Sequence, residues 1–328
     1  MSKLVTIYGG SGFVGRYVAR RMAKAGWRVR VAVRRPNEAL FVRPYGVVGQ
    51  VEPIFCNIRD DASVHQALQG ADAVVNCVGT FDKGGKNNFD AVQDEGATRI
   101  ARLAAEEGVS QMVHISAIGA DIEADSAYAT SKGNGEAGVL KHMPNAVILR
   151  PSVIFGPEDG FFNRFGGMAR MGPVLPIAGG DTLFQPVYVD DVAHAAALGA
   201  MGQAAGGIYE LGGPDVESFR TLMNRMLGVI HRRRLVLNMP NLIAKIIAFG
   251  FDMLQAVSLG LFKNTMLTRD QLITLKHDNV VSDSAKGFAD LGIQPTTMEA
   301  VLPDYLWRFR PSGQYDAIKD SARNLRNS

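Results

Sequence analysis

The chain is 328 residues long, 47% hydrophobic and 20% charged, with a formal net charge of +3. These values suit a globular protein with a sizeable core, built as one large domain or as a domain with a smaller companion. The charge excess is too small to argue for nucleic acid as a partner.

The N-terminus, MSKLVTIYGG, enters a strand at once. No basic segment leads into an apolar stretch and no Arg- and Ser-rich leader precedes the strand. The expectation is therefore neither a secretory signal nor a transit peptide, but a bacterial protein or an organellar one already processed. Short apolar β-branched runs then alternate with helically spaced segments. The runs at 4–9, 28–34, 51–56, 73–79, 112–117 and 146–155 predict strands, and 13–26, 61–68, 88–108 and 126–143 predict helices. Strands that are apolar throughout and alternate with helices imply parallel βαβ units, hence an α/β fold with a Rossmann-type doubly wound parallel sheet. Cys56 and Cys77 fall in the third and fourth runs. In the strand order 3-2-1-4 they would lie roughly 14 Å apart, beyond the ~7 Å limit for a disulfide, so reduced thiols are expected.

Gly9, Gly12 and Gly15 stand between the first strand and a helix starting near Phe13. One glycine permits a tight turn, one lets the backbone approach a pyrophosphate, and one lets helix and strand pack closely. The helix start at Phe13, Val14 and Gly15 would offer free N–H groups and a partial positive charge to phosphates. About twenty residues on, where a carboxylate would accept from a ribose 2′-hydroxyl, the chain carries Arg34 and Arg35. Guanidinium groups cannot accept, but they pair with a 2′-phosphate, so the preferred cofactor is NADP(H).

Farther along, YATSK places Tyr128 and Lys132 on one face of a helix. A nearby ammonium would favour the phenolate and lower the tyrosine pKa, making these two the candidate catalytic residues if the site is active. Here the chain resembles the short-chain dehydrogenase/reductase superfamily in its extended or atypical branch. The resemblance rests on GGSGFVG (9–15), NCVGT (76–80), HISA (114–117), YATSK, LRPSVIFGP (149–157) and YVDDVA (188–193). It implies that Val78, Gly79 and Thr80 line the cofactor, that Tyr128 and Lys132 reach the nicotinamide ribose, and that Pro151, Val153 and Ile154 meet the carboxamide. Asn57 and Ile58, in NIRD, fall where the superfamily often has Asp at the first position, and Ser116 lies at the end of the fifth strand. The Ser or Thr that would polarise a substrate carbonyl is missing from Ser116-Ala117-Ile118-Gly119. Tyr128 and Lys132 could then simply bind ribose hydroxyls. Asp190 and Asp191 read as a helix start, where carboxylates favour the dipole.

Beyond Pro151 the pattern loosens. Residues 184–201 predict a strand entering a helix, 207–214 a strand, and 218–230, 267–279 and 296–309 amphipathic segments. Residues 239–263 are apolar on nearly every face, interrupted by Lys245 and Asp252. The longest uncharged stretch, Met253 to Phe262, falls short of the roughly 18–20 residues that cross a bilayer. Such a segment is a core helix, or docks on a partner, or lies in a membrane interface. The preceding His231-Arg232-Arg233-Arg234 is a solvated face or meets anionic head groups. With no interleaved aromatic residues, it does not suggest nucleic acid. The other histidines lack metal-ligand spacing, so no metal is expected. The predicted organisation is a dinucleotide-binding domain over 1–157, to which about 184–214 returns, a smaller and mostly helical partner- or membrane-facing region over 158–310, and a polar tail over 311–328.

The C-terminal motifs TRDQ (268–271), LKHDNVVS (275–282) and GFADLGI (287–293) are similar to those of the NADPH-binding accessory subunits of respiratory complex I, the NADH:ubiquinone oxidoreductase. The resemblance spans nearly the whole chain. It implies a tightly held, structural NADPH, other complex I subunits as partners, and a peripheral position beside the membrane. That position would be the cytoplasmic face of a bacterial inner membrane, or the matrix side of the mitochondrial one. An independent NADPH-dependent reductase or epimerase acting on a small carbonyl or sugar-like substrate is the alternative, and a redox-sensing regulator a third.

Overall fold

The apolar runs of the first half become the buried strands of one sheet. The computed structural model describes residues 2–82, 84–257 and 268–315. In chain order they form β1 (Leu4–Tyr8), α1 (Phe13–Lys24), β2 (Arg28–Val33), β3 (Val51–Phe55), α2 (Asp61–Leu68), β4 (Ala73–Asn76), α3 (Glu95–Glu106), β5 (Gln111–Ile115), α4 (Ala127–His142) and β6 (Val147–Pro151). There follow β7 (Ile154–Phe155), α5 (Phe162–Met171), β8 (Val174–Ile177), β9 (Leu183–Phe184), β10 (Val187–Tyr188), α6 (Val189–Ala200) and β11 (Gly207–Leu211). The last are β12 (Glu217–Ser218), α7 (Phe219–Val229), β13 (Leu235–Asn238), α8 (Asn241–Val257), α9 (Arg269–Thr274) and α10 (Met298–Leu306).

Two compact units emerge. The first comprises 1–152, 189–212 and 281–295; the second comprises 153–188, 213–280 and 296–328. The first unit holds a seven-stranded, wholly parallel sheet in the order β11-β6-β5-β4-β1-β2-β3. One face packs Tyr8, Val74, Met112 and Ile148 against Val64 and Leu68 of α2, Ile100 of α3 and Val139 of α4. The other face is covered by α1 and α6. Burial on both faces is why the central strands β1 and β4 are buried at every position, while β2 and β3 toward one edge carry exposed polar positions.

The apolar run at 146–155, expected as one strand, divides. β6 ends at Pro151, and β7 pairs with β10 in a separate two-stranded sheet. The boundary between the units falls between Ser152 and Val153 rather than at 157. The returning segment is 189–212, and 281–295 returns as well, which the sequence did not suggest. The reason for that second return is polar. The N–H of Glu210 donates to the carbonyl of Lys286 at 2.8 Å, and both the N–H and hydroxyl of Ser282 donate to the Glu210 carboxylate at 2.9 Å. Such pairing leaves no hydrophobic period to detect.

The second unit gathers Phe155, Phe162, Phe165, Phe219, Leu222 and Leu302 in its own core. Asp159 stitches its first loop by accepting from the N–H groups of Phe161 at 3.1 Å and Asn163 at 2.9 Å, and from the hydroxyl of Tyr305 at 2.5 Å. The motif TRDQ proves to be a capping box: Thr268 accepts from the N–H of Gln271, whose side chain accepts from the N–H of Thr268. The helical segment expected over 267–279 is thereby confined to α9. In α8 the apolar side chains face outward. Leu242, Ile243, Ile246, Phe249 and Met253 are exposed, while Ala244 and Ala248 are buried. A core helix is thus not what this segment forms. Its continuation over 258–263, and most of the tail over 316–328, lie outside the described residues. No helix among the described residues is long and apolar enough to cross a membrane.

Helix α4 carries Gly133, Gly135 and Gly138, each unfavourable in a helix interior by about 1 kcal/mol relative to Ala. Close approach explains them. A Cβ at Gly135 would run into the carbonyl oxygen of Gln93, and one at Gly133 would lie 2.6 Å from the Asp121–Ile122 backbone. Gly135→Ala is expected to destabilise the protein by about 1–3 kcal/mol through overpacking, despite alanine's better helix propensity. Thermal denaturation of the variant checks this.

Candidate functional site

The carboxyl ends of the parallel strands carry the candidate site, as expected where loops leave an open α/β sheet. After β1, Gly9 turns the chain with φ +72° and its N–H donates to the carbonyl of Ala32 at 3.0 Å. Gly12 then opens α1 with no side-chain cap and no acidic residue in the first turn. The N–H groups of Phe13, Val14 and Gly15 are accordingly without partners inside the helix. A Cβ on Gly15 would strike the carbonyl oxygen of Gly9 and come within 2.7 Å of the Gly10 Cα. Only a chain without side chains makes this loop, which leaves a bare backbone cradle backed by a helix start. That is an anion-binding shape and fits a pyrophosphate.

Past β2, Arg34 and Arg35 are both exposed. Arg35 pairs with Glu38 at 3.1 Å, whereas Arg34 has no side-chain partner among the described residues. Arg16, which the sequence did not single out, sits in the first turn of α1. Its guanidinium donates to the carbonyls of Ser11 at 3.1 Å and Gly12 at 3.2 Å, and lies 4.8 Å from the ring centre of Phe41.

Asn57 forms a turn into α2, its side chain accepting from the N–H of Arg59 at 3.3 Å. The side chain of Ile58 is absorbed into the core beneath α3. After β4, the N–H of Val78 donates to Asn76 at 3.1 Å, and the carbonyl of Thr80 accepts from Gln93 at 2.5 Å. Gly79 borders Lys132, since a Cβ there would stand 3.9 Å from Nζ. Val78, Gly79, Ser116, Lys132 and Pro151 thus all belong to the first unit. Val153 and Ile154 belong to the second.

Tyr128 and Lys132 occupy successive turns of α4. The Lys132 ammonium donates to the carbonyl of Ile115 at 3.0 Å. Burial pulls its pKa down to about 8, with the Glu136 carboxylate opposing that shift. The lysine was expected to lower the pKa of Tyr128; the structure reverses this. Burial pushes the phenol up to about 12. Its ring is stacked on Phe81 at 5.4 Å and meets Phe89 edge-on at 5.8 Å. At neutral pH the phenol keeps its proton.

Ser116 turns away from any carbonyl-polarising role, for its hydroxyl donates to the buried Glu136. Glu136 in turn is clamped by Arg150, Nη2 to Oε2 at 2.6 Å. Neither of these two was picked out from sequence, although Glu136 follows Lys132 at the same four-residue helical interval. Asp190 and Asp191 do lie in the first turn of α6, and Asp190 also accepts two hydrogen bonds from Arg21 at 2.9 and 2.8 Å. Cys56 and Cys77 are both free thiols, as the strand order implied. No cluster of metal-ligating side chains occurs among the described residues.

A parallel sheet ending in a glycine cradle defines a dinucleotide-fold protein, and comparison with known proteins gives its class. The chain belongs to the NAD dependent epimerase/dehydratase family, whose model matches residues 5–212. More narrowly, it belongs to the family of the mitochondrial protein NADH dehydrogenase [ubiquinone] 1 alpha subcomplex subunit 9. It is 33% identical to the Arabidopsis thaliana protein of that name, over 94% of this chain and 79% of the relative. The Rattus norvegicus protein is 28% identical over 94% of this chain and 80% of its own length. Among solved structures, a UDP-glucose 4-epimerase from Thermotoga maritima shares the fold with a TM-score of 0.67, covering 93% of this chain and 98% of that one at 15% identity.

One buried group makes the first unit sensitive to acid. His114 on β5 accepts at Nδ1 from the Asn76 side-chain amide at 3.1 Å, while Nε2 has no partner among the described residues. Burial first, and the Lys132 charge second, lower its pKa from 6.5 to about 3. The unfolded chain therefore binds a proton that the folded chain refuses. This histidine's contribution is complete above pH 6.5 and is lost as pH falls toward 3. The slope approaches about 1.4 kcal/mol per pH unit. Denaturant titrations between pH 7 and 4 are expected to show that slope, and His114→Asn to flatten it.

Proposed function

We propose that this chain is a non-catalytic accessory subunit of the NADH:ubiquinone oxidoreductase, complex I, that holds NADPH as a structural ligand. The state of the would-be catalytic residues carries the reading. Burial pushes the Tyr128 phenol up to about 12 and two phenylalanine rings pack against it, while Ser116 has its hydroxyl committed to Glu136. Membership of the subunit family supports the partners: other subunits of the same complex.

In this reading the bare N–H groups of Phe13, Val14 and Gly15 hold the pyrophosphate, with Gly9 and Gly12 shaping the cradle. Arg34 takes the 2′-phosphate, and Arg35 contributes less because Glu38 already engages it. Backbone at Asn57, Ile58, Val78, Gly79 and Thr80 lines the adenosine and ribose path. Tyr128 and Lys132 hold the nicotinamide ribose, and Ser116 and Pro151 complete the binding set within the first unit. When bound, NADPH would carry a hydride that could reduce a carbonyl, but Ser116 gives its hydroxyl to Glu136 and the Tyr128 phenol is pushed away from ready ionisation. Its binding free energy goes into stability, about 4 kcal/mol at a thousand times the dissociation constant.

The outward apolar face of α8 supports a peripheral place at a membrane or a subunit surface. We place it on the matrix side of the inner mitochondrial membrane, or on the cytoplasmic face in a bacterium. The second reading, a reductase or epimerase, is favoured by the shared helical face of Tyr128 and Lys132 and by the epimerase/dehydratase family match.

Mild-detergent extraction followed by native electrophoresis is expected to find the chain migrating with complex I and carrying NADPH. Migration apart from the complex, together with carbonyl-dependent NADPH oxidation lost in Tyr128→Phe, would establish the second reading instead. Arg34→Ala is expected to weaken NADPH about 10- to 100-fold, the worth of a charge-assisted hydrogen bond, while leaving NADH unchanged. Arg35→Ala is expected to do less. Equilibrium titration with both nucleotides checks the order.

A further inference from the structure

Under the carboxyl ends of β5 and β6 runs a line of charges that the glycine cradle and Tyr128 do not use. Lys132 and Glu136 enter from α4, Arg150 from β6 and Glu210 from β11. Both carboxylates are buried, Glu136 at 3% exposed and Glu210 at 8%. Arg150 holds Glu136 with Nε at 2.9 Å from Oε1 and Nη2 at 2.6 Å from Oε2. Its Nη1 lies 3.8 Å from Oε1 of Glu210. The other Glu210 oxygen, Oε2, accepts from the backbone N–H and the hydroxyl of Ser282, both at 2.9 Å. Ser282 ends the motif LKHDNVVS and begins the returning segment 281–295.

At the opposite end of this line stand the two side chains assigned above to the nucleotide. Ser116 donates to Glu136, and Lys132 lies one helical turn before it. Ser116 and the segment 281–295 are therefore joined within one unit by hydrogen bonds from Ser116 and Arg150 to Glu136, an ion pair from Arg150 to Glu210, and hydrogen bonds from Ser282, itself exposed, to Glu210.

We infer that Glu136, Arg150, Glu210 and Ser282 are positioning residues through which nucleotide occupancy and the ordering of 281–295 stabilise each other. The inference rests on the reading that NADPH occupies the glycine cradle. Two cations and two carboxylates balance the line, and a buried carboxylate tolerates the loss of a partner poorly. Ser282 supplies two of the donors on Glu210. When 281–295 detaches, Glu210 turns to Arg150 for compensation and draws it off Glu136. Ser116 then loses the fixed carboxylate that holds its hydroxyl, and Lys132 the nearby carboxylate charge that favours its ammonium. In the other direction, a ribose that fixes Lys132 and Ser116 sets Glu136, and with it Arg150 and Glu210, in the geometry that receives Ser282. Coupling of this kind is reciprocal by thermodynamic necessity.

The test uses the full chain purified with its dinucleotide, together with Ser282→Ala and Ser282→Thr. Two quantities are followed: the release rate of NADPH into excess unlabelled nucleotide, and amide hydrogen exchange of 281–295 before and after stripping. Stripping the wild type is expected to speed exchange in 281–295 by about fivefold or more, and Ser282→Ala to release NADPH faster by a similar factor. Ser282→Thr, which restores the hydroxyl, is expected to restore both. A purely structural contact would lower the melting temperature without linking exchange to occupancy. Unchanged release from Ser282→Ala, or exchange in 281–295 that ignores stripping, overturns the coupling while leaving the cofactor reading intact. A wild type that holds no dinucleotide sinks the cofactor reading and the coupling with it. Should Ser282→Ala fail to fold, Glu210→Gln keeps an acceptor for Ser282 but removes the charge facing Arg150. Faster release from that variant supports the coupling, and wild-type release overturns it.

Discussion

Charge has to be neutralised wherever a helix carries it into a dry interior, and α4 carries two charges there. Lys132 and Glu136 enter on the same face, one turn apart, and neither can be left alone at that depth. Arg150 answers Glu136 from the neighbouring strand, and the Ile115 carbonyl accepts a hydrogen bond from the lysine ammonium. This arrangement fixes much of what surrounds it. It ties Ser116 down, keeps Lys132 beside Gly79, and brings Glu210 toward a segment about seventy residues later in the chain. The glycine-rich surface of α4 belongs to the same constraint. Close approach to Gln93 and Thr98 is what seats the helix deeply enough for these side chains to reach under the sheet.

The fold was legible where burial leaves a period or a run. Every strand of the main sheet except its precise ends can be read from stretches rich in apolar β-branched residues, because a parallel strand covered on both faces has few polar positions to interrupt it. The cradle was legible because Gly9 and Gly15 stand where no other residue fits. What escaped was polar or compositional. The break at Ser152 lies inside a run that is apolar on both sides, and nothing in its hydropathy marks a change of unit. Residues 281–295 rejoin the sheet through Ser282 and the carbonyl of Lys286, and backbone acceptors carry no sequence signature. The rings of Phe81 and Phe89 over Tyr128 are similarly invisible, since they come from an irregular stretch after β4. The reversal at Tyr128 has the same origin. Spacing identifies a neighbouring ammonium but says nothing of desolvation, and burial proved the larger influence on the phenol.

Conversion of a catalytic fold into a binding one needs few changes. A reductase requires a proton donor whose pKa lies near the working pH and a second donor that polarises the carbonyl. Raising a tyrosine to about 12 leaves its hydrogen-bonding capacity toward a ribose intact while removing its usefulness for proton transfer. Diverting Ser116 to a buried glutamate removes the second donor without disturbing the strand that carries it. In the proposed reading the cradle, the helix start and Lys132 would still hold a dinucleotide in this arrangement. Binding and chemistry are separable here because they depend on different atoms of the same fold.

A dinucleotide used only for stability puts different demands on its site than one that turns over. A turnover site must release product, so it is built from elements that open at low free energy. A structural site gains by the opposite, since every contact absent from the unfolded chain adds to the folded state by mass action. The cation at Arg34 suits that purpose. The 2′-phosphate it would grip takes no part in hydride transfer, so its recognition lengthens residence without any kinetic penalty for chemistry. The polar contacts from Glu136 through Arg150 and Glu210 to Ser282 extend the same logic beyond the site, for under the proposed coupling they would make a segment from the last sixth of the chain part of what the ligand holds together.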